Sequence, residues 1–333
     1  MEMQQFIEKL LAAAKEQGID PAEAYVNAGT NFSADVMQGS IDTYSVSDKL
    51  GLGLRGIYQG KMGYASTQAF DDEAIKQLIE GVKEGASLRE DEDVEEIYAG
   101  DASYPTVNSW SDALEQVSAT EKLDACLNIE KAAVSSQPTV TRCSGTRLST
   151  ISRETRICNS YGLNLHHRCN LYLTYTDAIA QEGDSTATAV AFQSGRDFSE
   201  MDPQALGAKA AREAAEALHG SPVPAGSYRI ILRWDAMQAL LETFCGIFSA
   251  ENAQQGMSLL NGREGEAIAA PCVTLMDDPL LPGGFSSYPF DDEGVACRTK
   301  AVVEAGVLKT LLHNRKTAKK AGCRTTGNAA GAG

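Results

Sequence analysis

Residues 139–195, TVTRCSGTRLSTISRETRICNSYGLNLHHRCNLYLTYTDAIAQEGDSTATAVAFQSG, decide the fold class. β-Branched and aromatic residues alternate here with polar ones at a period of two. The turn residues Ser160-Tyr161-Gly162 and Glu182-Gly183-Asp184 interrupt the alternation. That pattern predicts long antiparallel strands over 139–148, 150–159, 164–180 and 185–194, each with one face in a core. Upstream, residues 33–66 repeat the theme as a meander of four strands (33–38, 41–47, 51–58 and 61–66) with turns at Gly39-Ser40, Asp48-Lys49 and Gln59-Gly60.

Helical periodicity flanks these strands. Phe6, Ile7, Leu10, Leu11 and Ala14 form the apolar side of a first helix, and Ala74, Ile75, Leu78, Ile79 and Val82 that of a helix over 71–87. A long helix is expected over 110–135, entered at Ser111 or Asp112, and another over 203–218 with Asp202 as N-cap and Pro203 at N1. Between them the acidic run 89–96 reads as an exposed connection. The segment 220–226, GSPVPAG, excludes regular structure and marks a boundary. Beyond it, 228–233 is expected as a buried strand, Asp235 as the cap of a helix to Phe248, and 270–276, 294–304 and 307–313 as further strands. The expectation is an α+β protein of two domains, antiparallel sheets with packed helices. An N-terminal domain would span 1–220, and a β-rich second domain 221–333, incomplete at its C-terminal end, where the chain closes on TTGNAAGAG.

Composition narrows the function. A net charge of −16 argues against general nucleic-acid binding, which needs a basic face for phosphates. The charge is uneven: residues 298–333 hold eight basic side chains against Glu304 alone, +7, leaving −23 for the residues before them. That end is either a solvated helix face or a docking surface for an acidic partner or a peptide carboxylate. No apolar run approaches the roughly 20 residues of a membrane span, and the first 18 residues do not resemble a signal peptide, so a cytoplasmic protein is expected. Eight dispersed cysteines without a C-x-x-C pair fit reduced thiols rather than a zinc ribbon. GLGLRG, 51–56, lies between strands with no helix after it and so lacks the context of a dinucleotide-binding turn.

Several blocks together resemble one family. DVMQGSIDTYSVSDKLGLGLRGIYQGKMGYAST (35–67), CNSYGLNLHH (158–167), AKAAREAAEALHGSPVPAGSYRIIL (208–232), PFDDEGVACRTKAVVEAGVLKTLLHNRKTAKKAG (289–322) and TTGNA (325–329) occur in the order found in the TldD/PmbA family, also called modulators of DNA gyrase. The resemblance is to its PmbA-like members. It implies a peptidase-related protein, of the kind found in bacteria and archaea, that handles small or unfolded polypeptides. In TldD-like members the helix after the linker is similar to LLHExxxH, whose histidines hold zinc and whose glutamate activates water.

This chain reads LLETFCGI at 240–247, so Glu242, Thr243 and Ile247 stand at the His, Glu and His positions. Isoleucine cannot ligate a metal and threonine is a poor general base. Glu242 and Ile247 would also lie about 140° apart on an ideal helix, so a site would need a π-type bulge. Met237, Leu240, Leu241, Phe244 and Phe248 instead suggest a helix facing a core. His166 and His167, adjacent in a strand, would point to opposite faces. The family's later cysteine ligand has no counterpart before Gly333.

The resemblance therefore implies no metal or cofactor in this chain, zinc in a TldD-like partner, a hetero- or homodimer, a peptide substrate, and neither direct nucleic-acid nor membrane contact. Asp291, Asp292 and Glu293 form an acidic turn, and Arg298 and Lys300 share a strand face. Both are candidates for peptide or partner contact as well as for a structural role. Two other readings remain at this stage: a non-catalytic homodimer that binds a peptide or a regulator such as a gyrase-directed toxin or antitoxin, and a self-sufficient metallopeptidase with atypical ligands including Glu242 and Cys245.

Overall fold

A computed structural model describes residues 2–89 and 96–330. Residues 90–95 of the expected acidic connection lie outside the described residues. Helix α1, Met3–Glu16, buries Phe6, Ile7, Leu10 and Ala14. It leads into β1, Ile19–Met37, which starts well before the first strand expected from sequence. β2, Ser40–Tyr58, is one strand where two were expected. At the Asp48-Lys49 dipeptide the chain stays in the ladder, with Thr30 opposite Asp48 and Gly29 opposite Lys49. The Thr30 hydroxyl donates to Asp48 Oδ1 at 2.8 Å, so the turn-forming carboxylate is engaged across the strands.

β3, Lys61–Thr67, closes this half, and α2, Asp72–Leu88, follows with the Asp71 carboxylate accepting the Ala74 N–H. The long helix expected over 110–135 is broken into α3, Asp112–Glu115, and α4, Ala119–Ser136. Two things cause the break. Ser118 and Glu121 form a capping box that starts α4, and Asn170 binds both the N–H and the C=O of Ser111, holding α3 against the sheet.

β4, Val140–Asn159, again fuses two expected strands, and β5, Asn164–Glu182, and β6, Ser185–Gly195, complete a six-stranded antiparallel sheet of order β3-β2-β1-β4-β5-β6. α5, Pro203–Ala217, is capped by Asp202 with proline in its first turn, as the sequence indicates.

All four long helices cover one face of the sheet. α1 and α2 pack on Ala22, Ala24, Val26, Leu52 and Leu54, and α4 and α5 on Ala34, Val36, Leu148, Tyr172 and Ala178. These positions share the even parity of their strands; the odd residues of β1 and β4, from Tyr25 to Asp35 and from Arg147 to Ile157, point to the opposite face.

After 218 the chain departs from expectation. Residues 228–233 form no strand: Ile230 and Ile231 are 75% and 92% exposed, and no β-partner lies beside them among the described residues. α6, Trp234–Phe244, begins one residue before Asp235. Its apolar residues Met237, Leu240, Leu241 and Phe244 are exposed rather than lining a core, because among the described residues no sheet or long helix packs closely on it. After a 3₁₀ turn at Cys245–Phe248 come α7, Ala250–Gln254, and a small antiparallel sheet of β7, Leu275–Asp277, β8, Lys300–Glu304, and β9, Val307–Leu308. These strands are shorter than the stretches expected. α8, Arg315–Ala321, ends in left-handed Gly322. A separate core gathers Ala250, Ala253, Leu260, Val302, Val303, Leu308 and Leu311.

Candidate functional site

The open face of the large sheet is covered at one end by residues 278–297, and a cleft of about 430 Å³ lies at this seam. Its sheet wall is Tyr25 and Asn27 of β1 with Arg153 and Thr155 of β4. The facing wall carries Asp277, Asp278, Tyr288, Phe290, Asp291, Asp292 and Asn328. The volume falls in the range of roughly 300–1,000 Å³ usual for small-ligand sites.

Each aspartate of the cleft has a local donor. Asp291 is buried and accepts the N–H groups of Glu293 (3.0 Å), Val295 (2.9 Å) and Ala329 (3.0 Å). Burial outweighs those donors and pushes its pKa up to about 6. Asp292 Oδ1 accepts the Tyr25 hydroxyl at 3.0 Å, and burial together with this carboxylate raises the Tyr25 phenol above its ordinary value. Asp277 pairs with Lys300 at 2.5 Å and accepts the Asn328 amide at 2.9 Å; Asp278 accepts the Thr299 hydroxyl. The Asn328 amide oxygen, turned away from Asp277, is buried without a partner among the described residues.

The residues singled out in the sequence thus separate. Asp291 and Asp292 line the cleft. Glu293, beside them, turns away and accepts the N–H of Arg315 at 2.8 Å. Arg298 donates to the Thr325 carbonyl at 2.7 Å, and Lys300 is held by Asp277, so both are committed internally and neither lines the cleft. His167 packs edge-on against Tyr288 and Phe290 at 5.5 and 6.4 Å, burial holding its pKa below normal, while His166 Nε2 lies 3.1 Å from Glu154 on the other face of β5. Arg153 drew no notice in the sequence; its position becomes meaningful only through strand register.

Glu242 and Thr243 lie on α6 and Ile247 in the 3₁₀ turn after it, none of them lining the cleft. The Thr243 hydroxyl donates to the Ala239 carbonyl at 2.8 Å, and the Cys245 thiol to the Glu242 carbonyl at 3.2 Å. The helix tightens here instead of bulging, which does not bring Glu242 and Ile247 together. The donors do not fit a zinc ion: one carboxylate, a hydroxyl spent on the backbone and a hydrocarbon leave no set of three.

A second groove, of about 820 Å³, carries the basic residues foreseen near the C-terminal end. Arg55, Arg315, Lys316, Lys319 and Lys320 line it with Glu96 and Glu293, and Glu96 pairs with Lys319 at 2.9 Å and Arg315 at 3.6 Å.

A six-stranded antiparallel sheet with helices on one face and a polar, aromatic-walled cleft on the other defines an α+β protein. Three family profiles match in order: PmbA/TldA metallopeptidase domain 1 over 22–86, its central domain over 112–218 and its C-terminal domain over 225–333. The chain belongs to the PmbA/TldD family.

A metalloprotease of Methanocaldococcus jannaschii is 25% identical, the alignment covering 97% of this chain and 71% of that protein. Metalloprotease PmbA of Escherichia coli O157:H7 is 23% identical over 96% and 71%. A Thermotoga maritima crystal structure, named as a proposed modulator of a DNA gyrase, superposes with a TM-score of 0.92 at 29% identity over 98% of this chain and 74% of that one. TldE from Thermococcus kodakarensis shares the fold at a TM-score of 0.85 and 23% identity, over 97% and 73%. No helix among the described residues is long and apolar enough to cross a membrane.

Proposed function

We propose that this chain is the PmbA-like, non-catalytic subunit of a two-chain metallopeptidase system that processes small or unfolded polypeptides. The observation that carries the reading is the donor set on α6 and the 3₁₀ turn after it, Glu242, Thr243 and Ile247, which cannot complete a metal site in a family otherwise described as metallopeptidase. A TldD-like partner would supply the zinc and the hydrolytic step. This chain's own residues would hold the peptide: Tyr25, Asn27 and Thr155 present polar atoms along the sheet face, Tyr288 and Phe290 exclude water, and Asp292 fixes the Tyr25 hydroxyl.

The test is hydrolysis of a fluorogenic peptide by this chain alone, by a TldD-like chain alone and by the pair, with metal content of each measured by mass spectrometry. Activity greater in the pair than in the TldD-like chain alone, with zinc in that chain only, supports the proposal. No gain on mixing, or stoichiometric zinc with activity in this chain alone, rejects it.

A further inference from the structure

The sheet wall of the cleft contains one charged side chain that has no carboxylate partner among the described residues. Arg153 projects from β4 on the open face, and its cross-strand neighbours are Gly29 on β1 and Cys169 on β5. Along its own strand the same face holds Ile151 and Thr155, and diagonally Asn27, Asn31, His167 and Leu171. None of these carries a carboxylate.

Glycine is enforced at position 29, since a Cβ there would come within 2.2 Å of the Ser152 carbonyl oxygen. The space beside the arginine is therefore kept open by backbone packing. Among the described residues no carboxylate lies within ion-pairing distance of Arg153; its polar neighbour is the Tyr288 hydroxyl.

The charges opposite it make this unusual. Asp277, Asp278, Asp291 and Asp292 line the same cleft, yet each is engaged by Lys300 and Asn328, by Thr299, by three backbone N–H groups, or by Tyr25. Arg153 is the one cation among the described residues lining the cleft, and it is exposed within a concave site. A guanidinium offers a planar fork of donors matched to a carboxylate, and its attraction strengthens where side walls exclude water.

We propose that Arg153 receives the C-terminal carboxylate of a short peptide, whose last side chain lies against Tyr288 and Phe290. This deepens the peptide-holding reading above and rests on it for the nature of the ligand. The aspartate wall then sets direction, favouring a peptide whose amino end lies toward Asp292 and whose acid end lies at β4.

The test uses the intact chain, without a partner, so that binding is read independently of turnover. Calorimetric titration compares Ala-Ala-Phe as the free acid with the same peptide as its C-terminal amide. The free acid should bind at least tenfold more tightly. Arg153→Gln should lower free-acid binding to the level of the amide while leaving amide binding unchanged, and Arg153→Lys should restore part of the preference. Because Arg153 is exposed and without a carboxylate partner, the thermal melt of both variants should match that of the parent protein. Equal binding of acid and amide, or a preference that survives Arg153→Gln, overturns the carboxylate assignment and leaves the peptide reading standing. Absence of binding by either peptide overturns both.

Discussion

At the scale of single residues, Asp291 ties the acidic turn to the cleft. Its carboxylate gathers three backbone N–H groups, two from its own turn and one from Ala329, and so joins the turn before β8 to the loop at 325–330. Its folded-state pKa, raised from 3.8 to about 6 chiefly by burial, means that ionisation weighs against the native state. That penalty is absent below the unfolded value and fully imposed above about 6, so this group's contribution to stability falls as pH rises between the two. Asp291→Asn removes the titration. The stability difference, parent minus variant, should therefore be larger at pH 4.5 than at pH 7.5, by roughly 1–3 kcal/mol. Urea unfolding at the two pH values measures it; a difference independent of pH contradicts the assignment. The place of the acidic turn was legible because Asp291, Asp292 and Glu293 are consecutive and followed by Gly294. That of Arg153 was not, because it depends on Gly29 and Cys169 standing opposite, and register is a property of three strands together.

At the scale of elements, local signals fixed helix starts wherever a cap was decisive and misplaced them where tertiary contacts intervened. Ser118 and Glu121 begin α4 by reciprocal hydrogen bonds, yet Ser111, seven residues earlier, is an equally good cap. The choice between one helix and two is made by Asn170 on β5, which no local pattern reveals. Ser118→Ala should cost about 1 kcal/mol in denaturant unfolding, and a cost near zero would mean that Ser111 can take over. Strands show the same limit: Asp48-Lys49 has turn chemistry, but the ladder through Thr30 overrides it, and residues 228–233 have strand chemistry but no strand partner among the described residues. Close helix approach adds a further constraint. At Gly207, where α5 crosses α4, a Cβ would lie 2.5 Å from the Ile129 carbonyl oxygen and 2.6 Å from the Ala133 nitrogen. Backbone on both sides cannot yield, so Gly207→Ala should destabilise by about 1–3 kcal/mol despite improving helix propensity. An unchanged or higher unfolding midpoint would show that the two helices separate freely.

At the scale of the whole molecule, the cleft exists because two separately cored parts meet along a seam where hydrogen bonds flank a small apolar cluster of Ile157, Leu163, Leu165 and Phe290. Tyr104 donates to the Gly294 carbonyl at 2.8 Å, the Ala296 N–H to Asp101 at 2.8 Å, and the Ser109 hydroxyl to the Ser287 carbonyl at 3.2 Å. Arg196, just past β6, makes three further ties. It reaches the carbonyls of Ser109, Gly283 and Gly284 at 3.0, 3.1 and 2.9 Å, spanning the sheet edge and the segment that carries Tyr288. None of these contacts is encoded by nearby sequence, which is why the blocks of the chain were readable and the cleft between them was not. The apolar cluster spreads its contribution over area, whereas the hydrogen bonds concentrate theirs in a few groups. Arg196→Ala should therefore loosen the covering segment locally: amide exchange should quicken by tenfold or more across 278–290, while β4 and β5 keep their protection. Peptide affinity should fall with it, since Tyr288 and Phe290 would no longer be held over Arg153. Exchange that rises equally in the central strands would instead mean that Arg196 supports the sheet itself, and unchanged exchange that the covering segment is held by its own core.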